Sequence, residues 1–269
     1  MSLIKYIILG IIQGISEPLP ISSSGHIYLF KHIFNTNLFD SLNFEIVSNF
    51  GSFIAILLIF WPDIIDLLKA FFSFLFNKNR TIEYRRKFRY CLFIIISTIP
   101  VGITGILFKD ILESEYNVKL LSIAFLITAI ALFAVRNING NKEDNNITIK
   151  DAMIIGLLQA ITIVPGISRS GTVLVGCLLC KFKKDTALKY TFILYFPVSV
   201  ASMLLGTKDL LTTPGLSTML LPYFAGLITA GVVTYLSYKW LSRIVKNGNL
   251  WKFSIYCVLL ALFILIYFR

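Results

Sequence analysis

Apolar residues fall in blocks along this chain, and the blocks have two lengths. Six are long enough for a membrane-crossing helix, which needs about 20 largely apolar residues: 44–62, 90–108, 118–136, 186–206, 219–238 and 251–268. Four shorter blocks come in two pairs, 3–16 with 21–34 and 151–164 with 167–180. Each pair is split by a polar turn containing Pro, Ser and Gly. Residues 63–76 are apolar but short, with Asp63, Asp66 and Lys69 along one side, and read as an interfacial helix or a continuation of the first span.

The two split pairs are copies of one another. GIIQGISEPLPISSSGHI begins at Gly10 and GLLQAITIVPGISRSGTV at Gly156, and they align without a gap at an offset of 146. Gly10, Gln13, Ile21, Ser22, Ser24 and Gly25 match Gly156, Gln159, Ile167, Ser168, Ser170 and Gly171. The register continues into the next block, where Phe50 meets Phe196 and Ala55 meets Ala201. Broken backbone cannot face lipid, so each pair reads as a re-entrant helical hairpin buried in protein or lining a wet cavity. Ordinary loops between spans are the competing reading, and they do not account for the same break twice. Three spans follow each hairpin, and an odd number inverts the second copy. The tips are then expected to meet near the bilayer midplane.

The expected fold is therefore an all-α integral membrane protein, one membrane domain over 1–269. It has six transmembrane helices plus two re-entrant helical hairpins in an inverted-topology repeat. The first repeat is 1–136 (hairpin 3–34; spans 44–62, 90–108, 118–136), and the second is 151–269 (hairpin 151–180; spans 186–206, 219–238, 251–268).

Composition supports this class and excludes others. Of the residues 57% are hydrophobic and only 14% charged, against about 25% charged in a soluble domain. Mean hydropathy is +0.79. A soluble enzyme and a disordered chain are both excluded. The net charge of +11 reads as membrane topology and not as nucleic-acid binding, because the basic residues crowd into alternate loops. Residues 77–89 hold six Lys/Arg, 136–150 three, 181–185 three and 239–252 four. The intervening loops 31–43, 109–119 and 207–218 hold one, two and one. Positive charge stays inside, so the first group is cytoplasmic and both termini are external. Cys177 and Cys180 form a Cys-x-x-Cys pair, but no second ligand pair exists for zinc, and we read them as small residues in a membrane helix. No small-residue cleavage site follows the first apolar run, so no cleavable leader is expected.

The turns carry the chemistry. The first runs Glu17-Pro18-Leu19-Pro20-Ile21-Ser22-Ser23-Ser24-Gly25-His26, and the second Pro165-Gly166-Ile167-Ser168-Arg169-Ser170-Gly171. Ionisable groups at membrane depth are costly and usually functional. Helix N-termini and glycine-rich turns aim free N–H groups at anions, and Arg169 adds a fork matched to phosphate oxygens. A phosphate or diphosphate suits this set, with two similar half-sites for two phosphoryl groups. Gln13, Ser22, Ser24, Gly25, Glu45, Gly166, Ser168, Ser170 and Gly171 are expected to line it. Ser23 and His26 are three apart and share a face if 21–34 is helical, so His26 is a candidate base for Ser23 or for a water. Glu17 is a candidate to orient His26, to hold a divalent metal with the phosphates, or to act as acid and base itself. Taken singly, the serines also read as helix caps, and His26 as an interfacial histidine like His32. Glu45 is either a second carboxylate or a solvated helix terminus. Lys189 reads as a snorkelling cytoplasmic anchor.

At these residues the sequence resembles the undecaprenyl-diphosphate phosphatase family of bacterial membranes, the bacitracin-resistance type. The likeness covers nearly the whole chain. It rests on Gln13-x-x-x-Glu17, Pro20-x-Ser-Ser-x-Gly-His26, FEIVSNFGSFIA at 44–55, and Pro-Gly-x-Ser-Arg-Ser-Gly at 165–171. The resemblance implies a membrane hydrolase that removes the terminal phosphate of a C55 polyprenyl diphosphate, leaving the monophosphate carrier of cell-wall synthesis. It implies Glu17 as an acidic motif residue, Ser23 as nucleophile, His26 as its base and Arg169 as phosphate clamp. It also implies a magnesium or calcium ion, and a site open to the periplasmic or extracellular side of the cell membrane. The partners expected are the lipid diphosphate and membrane lipid, with no nucleic acid; oligomeric state, a homodimer included, is left open. Three positions depart from the family pattern: Gln13 in place of a glutamate, Lys189 in place of a glutamate, and Val164 in place of a tryptophan. A flippase or transporter for a polyprenyl phosphate is the alternative, since inverted repeats with broken helices also build transporters.

Overall fold

The structure, a computed structural model, describes residues 3–34, 42–76, 81–108, 117–211 and 216–268. Parts of the loops at 31–43, 77–89, 109–119 and 207–218 lie outside them. Among the described residues there are ten α-helices: α1 Leu3–Ser16, α2 Ser23–Phe34, α3 Leu42–Phe76, α4 Ile82–Leu107, α5 Val118–Ala134, α6 Ile149–Ala160, α7 Arg169–Leu179, α8 Lys184–Leu211, α9 Leu216–Lys246 and α10 Trp251–Tyr267. Two 3₁₀ turns, Asp144–Asn146 and Ile161–Ile163, accompany them. The β-contact in this region is an isolated bridge between Lys142 and Phe182.

The breaks have local causes. α1 ends where the Gln13 carbonyl accepts the Glu17 N–H at 2.9 Å. Pro18 and Pro20 then remove two donors and forbid the helical turn. α6 opens on a capping box between Thr148 and Asp151, and α7 on Ser168, whose hydroxyl accepts the Gly171 N–H. α1 and α6 begin at equivalent positions of the repeat, as do α2 and α7.

Four helices are long and apolar enough to cross a membrane: Phe44–Phe76, Ile82–Leu107, Lys184–Thr207 and Met219–Lys246. α5 and α10, expected as two further spans, are apolar but 17 residues each. Residues 63–76 continue the first span without a break.

In lipid, helices associate through close packing and interhelical hydrogen bonds more than through hydrophobic burial. Here the two halves exchange partners. α1 packs on α9 of the second half, and α6 packs on α4 of the first. Gly10 permits the first contact, since a methyl there would lie 2.6 Å from the Gly226 carbonyl. Across the second, Ser97 Oγ donates to the Ala152 carbonyl at 2.8 Å. α3 packs on α8 and α5 on α10, with Thr234 Oγ1 donating to Ser52 Oγ at 2.8 Å between α9 and α3.

The basic end of the bundle is laced by ion pairs. Lys189, expected to snorkel, lies 2.8 Å from Asp63 and 3.1 Å from Asp144, tying α8 to α3 and to the 3₁₀ turn. Lys142 lies 2.8 Å from Asp151, and Lys183 pairs with Glu143. Burial alone would raise the Asp151 carboxyl. The Lys142 ammonium and the Thr148 N–H and hydroxyl outweigh it and hold the group below the ordinary aspartate value.

Candidate active site

The two polar turns touch. A methyl on Gly25 would lie 2.8 Å from the Phe125 ring and 3.0 Å from the Gly166 Cα. One on its repeat mate Gly171 would lie 3.1 Å from the Pro20 Cβ. Pro20 and Gly166 are themselves mates, so the tips cross through two equivalent contacts. Gly166 has φ +93°, a left-handed conformation open to glycine. Ser22 also has positive φ, +68°, which is uncommon for a residue with a Cβ and gathers at functional turns.

Around this crossing lies a cleft of about 210 Å³, several times the roughly 30 Å³ share of one water in the liquid. Ser22, Ser23, Ser24, Glu17 and Glu45 line it from the first half, and Ser168, Arg169 and Ser170 from the second. Glu17 is the hub. Its Oε1 accepts from Arg169 Nη2 at 2.6 Å, and its Oε2 from Ser23 Oγ at 2.5 Å and from Gln13 Nε2 at 3.0 Å. Gln13 also donates to Asn49 Oδ1 at 2.5 Å. The Arg169 guanidinium lies 4.6 Å over the Tyr195 ring and 3.5 Å from Ser199 Oγ.

Ser23 and Arg169 are the first residues of α2 and α7. Ser22 Oγ accepts the Gly25 N–H at 3.3 Å, and Ser168 Oγ accepts that of Gly171 at 3.1 Å. The N–H groups of Ser23, Ser24, Arg169 and Ser170 have no acceptor among the described residues. Two helix N-termini thus direct free donors at one cleft, an arrangement suited to an anion.

His26 is directed elsewhere. Its Nδ1 lies 2.7 Å from the Ser22 carbonyl, which only accepts, so Nδ1 carries the proton. Nε2 then accepts from Tyr256 Oη of α10 at 2.7 Å, and the two rings stack 8° from parallel. Both nitrogens are occupied, and Glu17, not His26, meets the Ser23 hydroxyl. His26 instead clasps the strained Ser22 turn.

Gln13 stands behind Glu17, and Gly25, Gly166 and Gly171 serve the crossing. Sequence reasoning missed Asn49, Tyr195, Ser199 and Tyr256. Asn49 and Tyr195 are repeat mates flanking the hub, so extending the repeat to this pair carried the signal. Tyr256 lies in α10, with no local mark of its role.

The residues present fit a hard divalent cation. Glu17, Glu45 and Asn49 offer oxygen donors to one cleft. Among the described residues no cluster of three His, Cys, Asp or Glu exists. One or two carboxylates completed by substrate phosphates is the usual setting of magnesium.

The family described as "Bacitracin resistance protein BacA" matches residues 6–263. Undecaprenyl-diphosphatase 2 of Bacillus thuringiensis is 41% identical over 266 residues, covering 98% of this chain and 97% of that protein. Undecaprenyl-diphosphatase 1 of Bacillus licheniformis is 40% identical over 267 residues, 98% of each. The undecaprenyl-diphosphatase of Oceanobacillus iheyensis is 39% identical over 269 residues, covering 99% of this chain and 97% of that protein.

Proposed function

This chain belongs to the bacitracin resistance protein BacA family, and from that premise we propose how its cleft works. The protein is a multi-pass membrane hydrolase. It dephosphorylates undecaprenyl diphosphate to undecaprenyl phosphate and inorganic phosphate, recycling the lipid carrier of cell-wall synthesis and giving bacitracin resistance. One observation supports this assignment most: Arg169, Glu17 and Ser23 form a continuous hydrogen-bonded array from two separate helix pairs.

The terminal phosphoryl group binds between the N-termini of α2 and α7, against Arg169. Ser23 Oγ attacks phosphorus while its proton passes to Glu17. The bond to the bridging oxygen breaks, and the lipid monophosphate leaves with that oxygen. Water then releases phosphate from Ser23. Direct attack by a water on Glu17 uses the same groups in one step. Arg169 and the free N–H groups stabilise charge on the transferred oxygens. His26 acts as a positioning residue by holding the Ser22 turn. Glu45 and Glu17 would hold a magnesium or calcium ion, which supplies further positive charge against the phosphoryl oxygens.

We read α1–α2 and α6–α7 as re-entrant hairpins, the first entered from outside and the second from the cytoplasm, with six spans around them and the cleft open to the external side. The basic loops support that orientation. Nothing in the site favours carriage of the lipid over its cleavage.

The test is phosphate release from a polyprenyl diphosphate by purified protein in detergent. Release should fall at least about a thousandfold in Ser23→Ala and in Arg169→Ala; a rate unchanged by both removes the assignment. For topology, a cysteine at Asn117 should label from outside and one at Asn145 only after permeabilisation. The reverse pattern inverts the orientation.

A further inference from the structure

α3 and α9 pack closely at Gly51, where a methyl would lie 2.2 Å from the Leu227 carbonyl. Beside that contact an apolar groove of about 380 Å³ runs between the two helices. Buried Gly51 and Ala55 line it with little or no side chain, and exposed Leu58, Val232 and Leu236 line it with larger ones. The catalytic cleft lies on another side of α3. Glu45, Asn49 and Ile56 line that cleft, and at about 3.6 residues per turn they fall on the face opposite Gly51, Ile54 and Leu58. α3 thus stands between the two, and a lipid whose diphosphate sits in the cleft does not run its tail directly into the groove.

One end of the groove is cationic. Tyr235 lines it there, and Lys239 Nζ lies 4.3 Å over the Tyr235 ring. Ile228, Val232, Tyr235, Lys239 and Arg243 follow one face of α9 at helical spacing, so the apolar line continues as a basic one. Both cations are exposed. Among the described residues neither has an ion-pair partner, whereas Lys246 pairs with Asp185 at 2.7 Å. Aromatic side chains mark the same level: Trp61 on α3 and Trp240 on α9 are exposed, and the Phe60 and Tyr238 rings, 5.4 Å apart, hold the helices level with each other. Trp and Tyr gather where a bilayer meets water, which sets Lys239 and Arg243 at head-group depth.

We propose that this groove seats an anionic phospholipid from the leaflet at the basic end of the bundle, with one acyl chain along α3 and α9 and the phosphate at Lys239 and Arg243. A chain laid there gains dispersion contacts with both helices, and basic residues at a membrane surface draw anionic head groups. A second copy of the chain is a poorer occupant. A two-fold axis along the membrane normal would set this row of cations against itself. A lipid at this place does not depend on which bond the cleft breaks, so it stands or falls apart from the phosphatase reading.

The experiment is native mass spectrometry of the purified protein, titrated with phosphatidylglycerol or with phosphatidylcholine of the same acyl chains. Wild type should hold one phosphatidylglycerol about tenfold more tightly than phosphatidylcholine. Lys239→Gln combined with Arg243→Gln should raise the phosphatidylglycerol dissociation constant about tenfold, the scale of lost hydrogen bonds to a charged group, and leave phosphatidylcholine unchanged. Val232→Trp keeps both cations and narrows the groove. It should weaken both lipids, which adsorption of the head group alone would not do. Equal binding of the two lipids by wild type, or a phosphatidylglycerol constant within twofold of wild type in the charge variant, overturns the proposal. So does a dimer that Val232→Trp abolishes while lipid retention is unchanged, which gives the groove to a second copy. Displacement of phosphatidylglycerol by farnesol, a prenyl chain without charge, gives it to the substrate tail and overturns the proposal too. If Val232→Trp does not accumulate, the exposed charge pair decides alone.

Discussion

Ser23 and Arg169 occupy the same place in the two helix pairs, the first residue of the second arm, and carry unlike side chains. One is a small hydroxyl that donates to Glu17; the other is a guanidinium that reaches the same carboxylate from the other helix pair. The shared scaffold is nearly symmetric: equivalent helix starts, the same serine cap on a glycine N–H, and matching tip contacts. What differs is the sparse set of side chains directed at the cleft. Repetition supplied two helix N-termini at one cleft. Divergence left a carboxylate and a hydroxyl in one half and a guanidinium in the other.

The strongest test of that division is to exchange the pair. A Ser23→Arg, Arg169→Ser double variant keeps both side chains in the cleft. If the hairpins were interchangeable, activity would return; we expect a loss of about a thousandfold or more, because Glu17 has only Ile163 as its mate. Phosphate release from the double variant beside each single one decides it.

A smaller effect separates His26 from its mate Thr172. Tyr256→Phe frees His26 Nε2 and should lower kcat about tenfold, with a changed pH profile as the imidazole gains freedom to titrate. Thr172→Ala should stay within about twofold. An unchanged pH profile in Tyr256→Phe would remove the positioning role.

Next come the crossing glycines. Gly25→Ala forces a methyl against the Phe125 ring and the Gly166 backbone, while Gly171→Ala meets side chains at 3.1 Å. The first should cost about 1–3 kcal/mol in unfolding free energy, the range for overpacking, and the second less. Equal losses would show that the two tip contacts are mechanically alike after all.

The smallest expected effect lies at the mouth of the second hairpin. The Asp151 carboxyl is held below its unfolded value of about 3.9, so its contribution is fully present above that pH and is lost as pH falls through the lower folded value. Thermal stability followed down to about pH 3 should decline, and Asp151→Asn should flatten that part of the curve. The first hairpin has Lys5 at the equivalent position and no such pair among the described residues.

The fold was legible where it depends on local chain chemistry. Pro18, Pro20 and Pro165 stand at the polar breaks, whereas Pro62, Pro100, Pro197 and Pro222 lie inside long apolar helices, and a serine caps the helix that follows each break. Length and hydropathy marked the long helices. The spans at 118–136 and 251–268 read longer than α5 and α10, because hydropathy does not register where capping and turn geometry end a helix. In the site, spacing brought out Glu17, Ser23 and Arg169 but linked Ser23 to His26. Ser23 and His26 do both lie on α2, but the His26 ring is taken by the Ser22 carbonyl and Tyr256, and the Ser23 hydroxyl donates to Glu17 instead.

By itself, then, the sequence determined the repeat, the breaks and the identity of the polar groups at each tip, since periodicity and turn chemistry act over a few residues. Tertiary structure alone decided which groups meet. Arg169 reaches Glu17 across 152 positions, and Tyr256 reaches His26 across 230. Gln159 Nε2 and Gln13 Oε1 are both buried without a hydrogen-bond partner. These are facts of three-dimensional packing between exchanged halves, and no spacing along the chain encodes them.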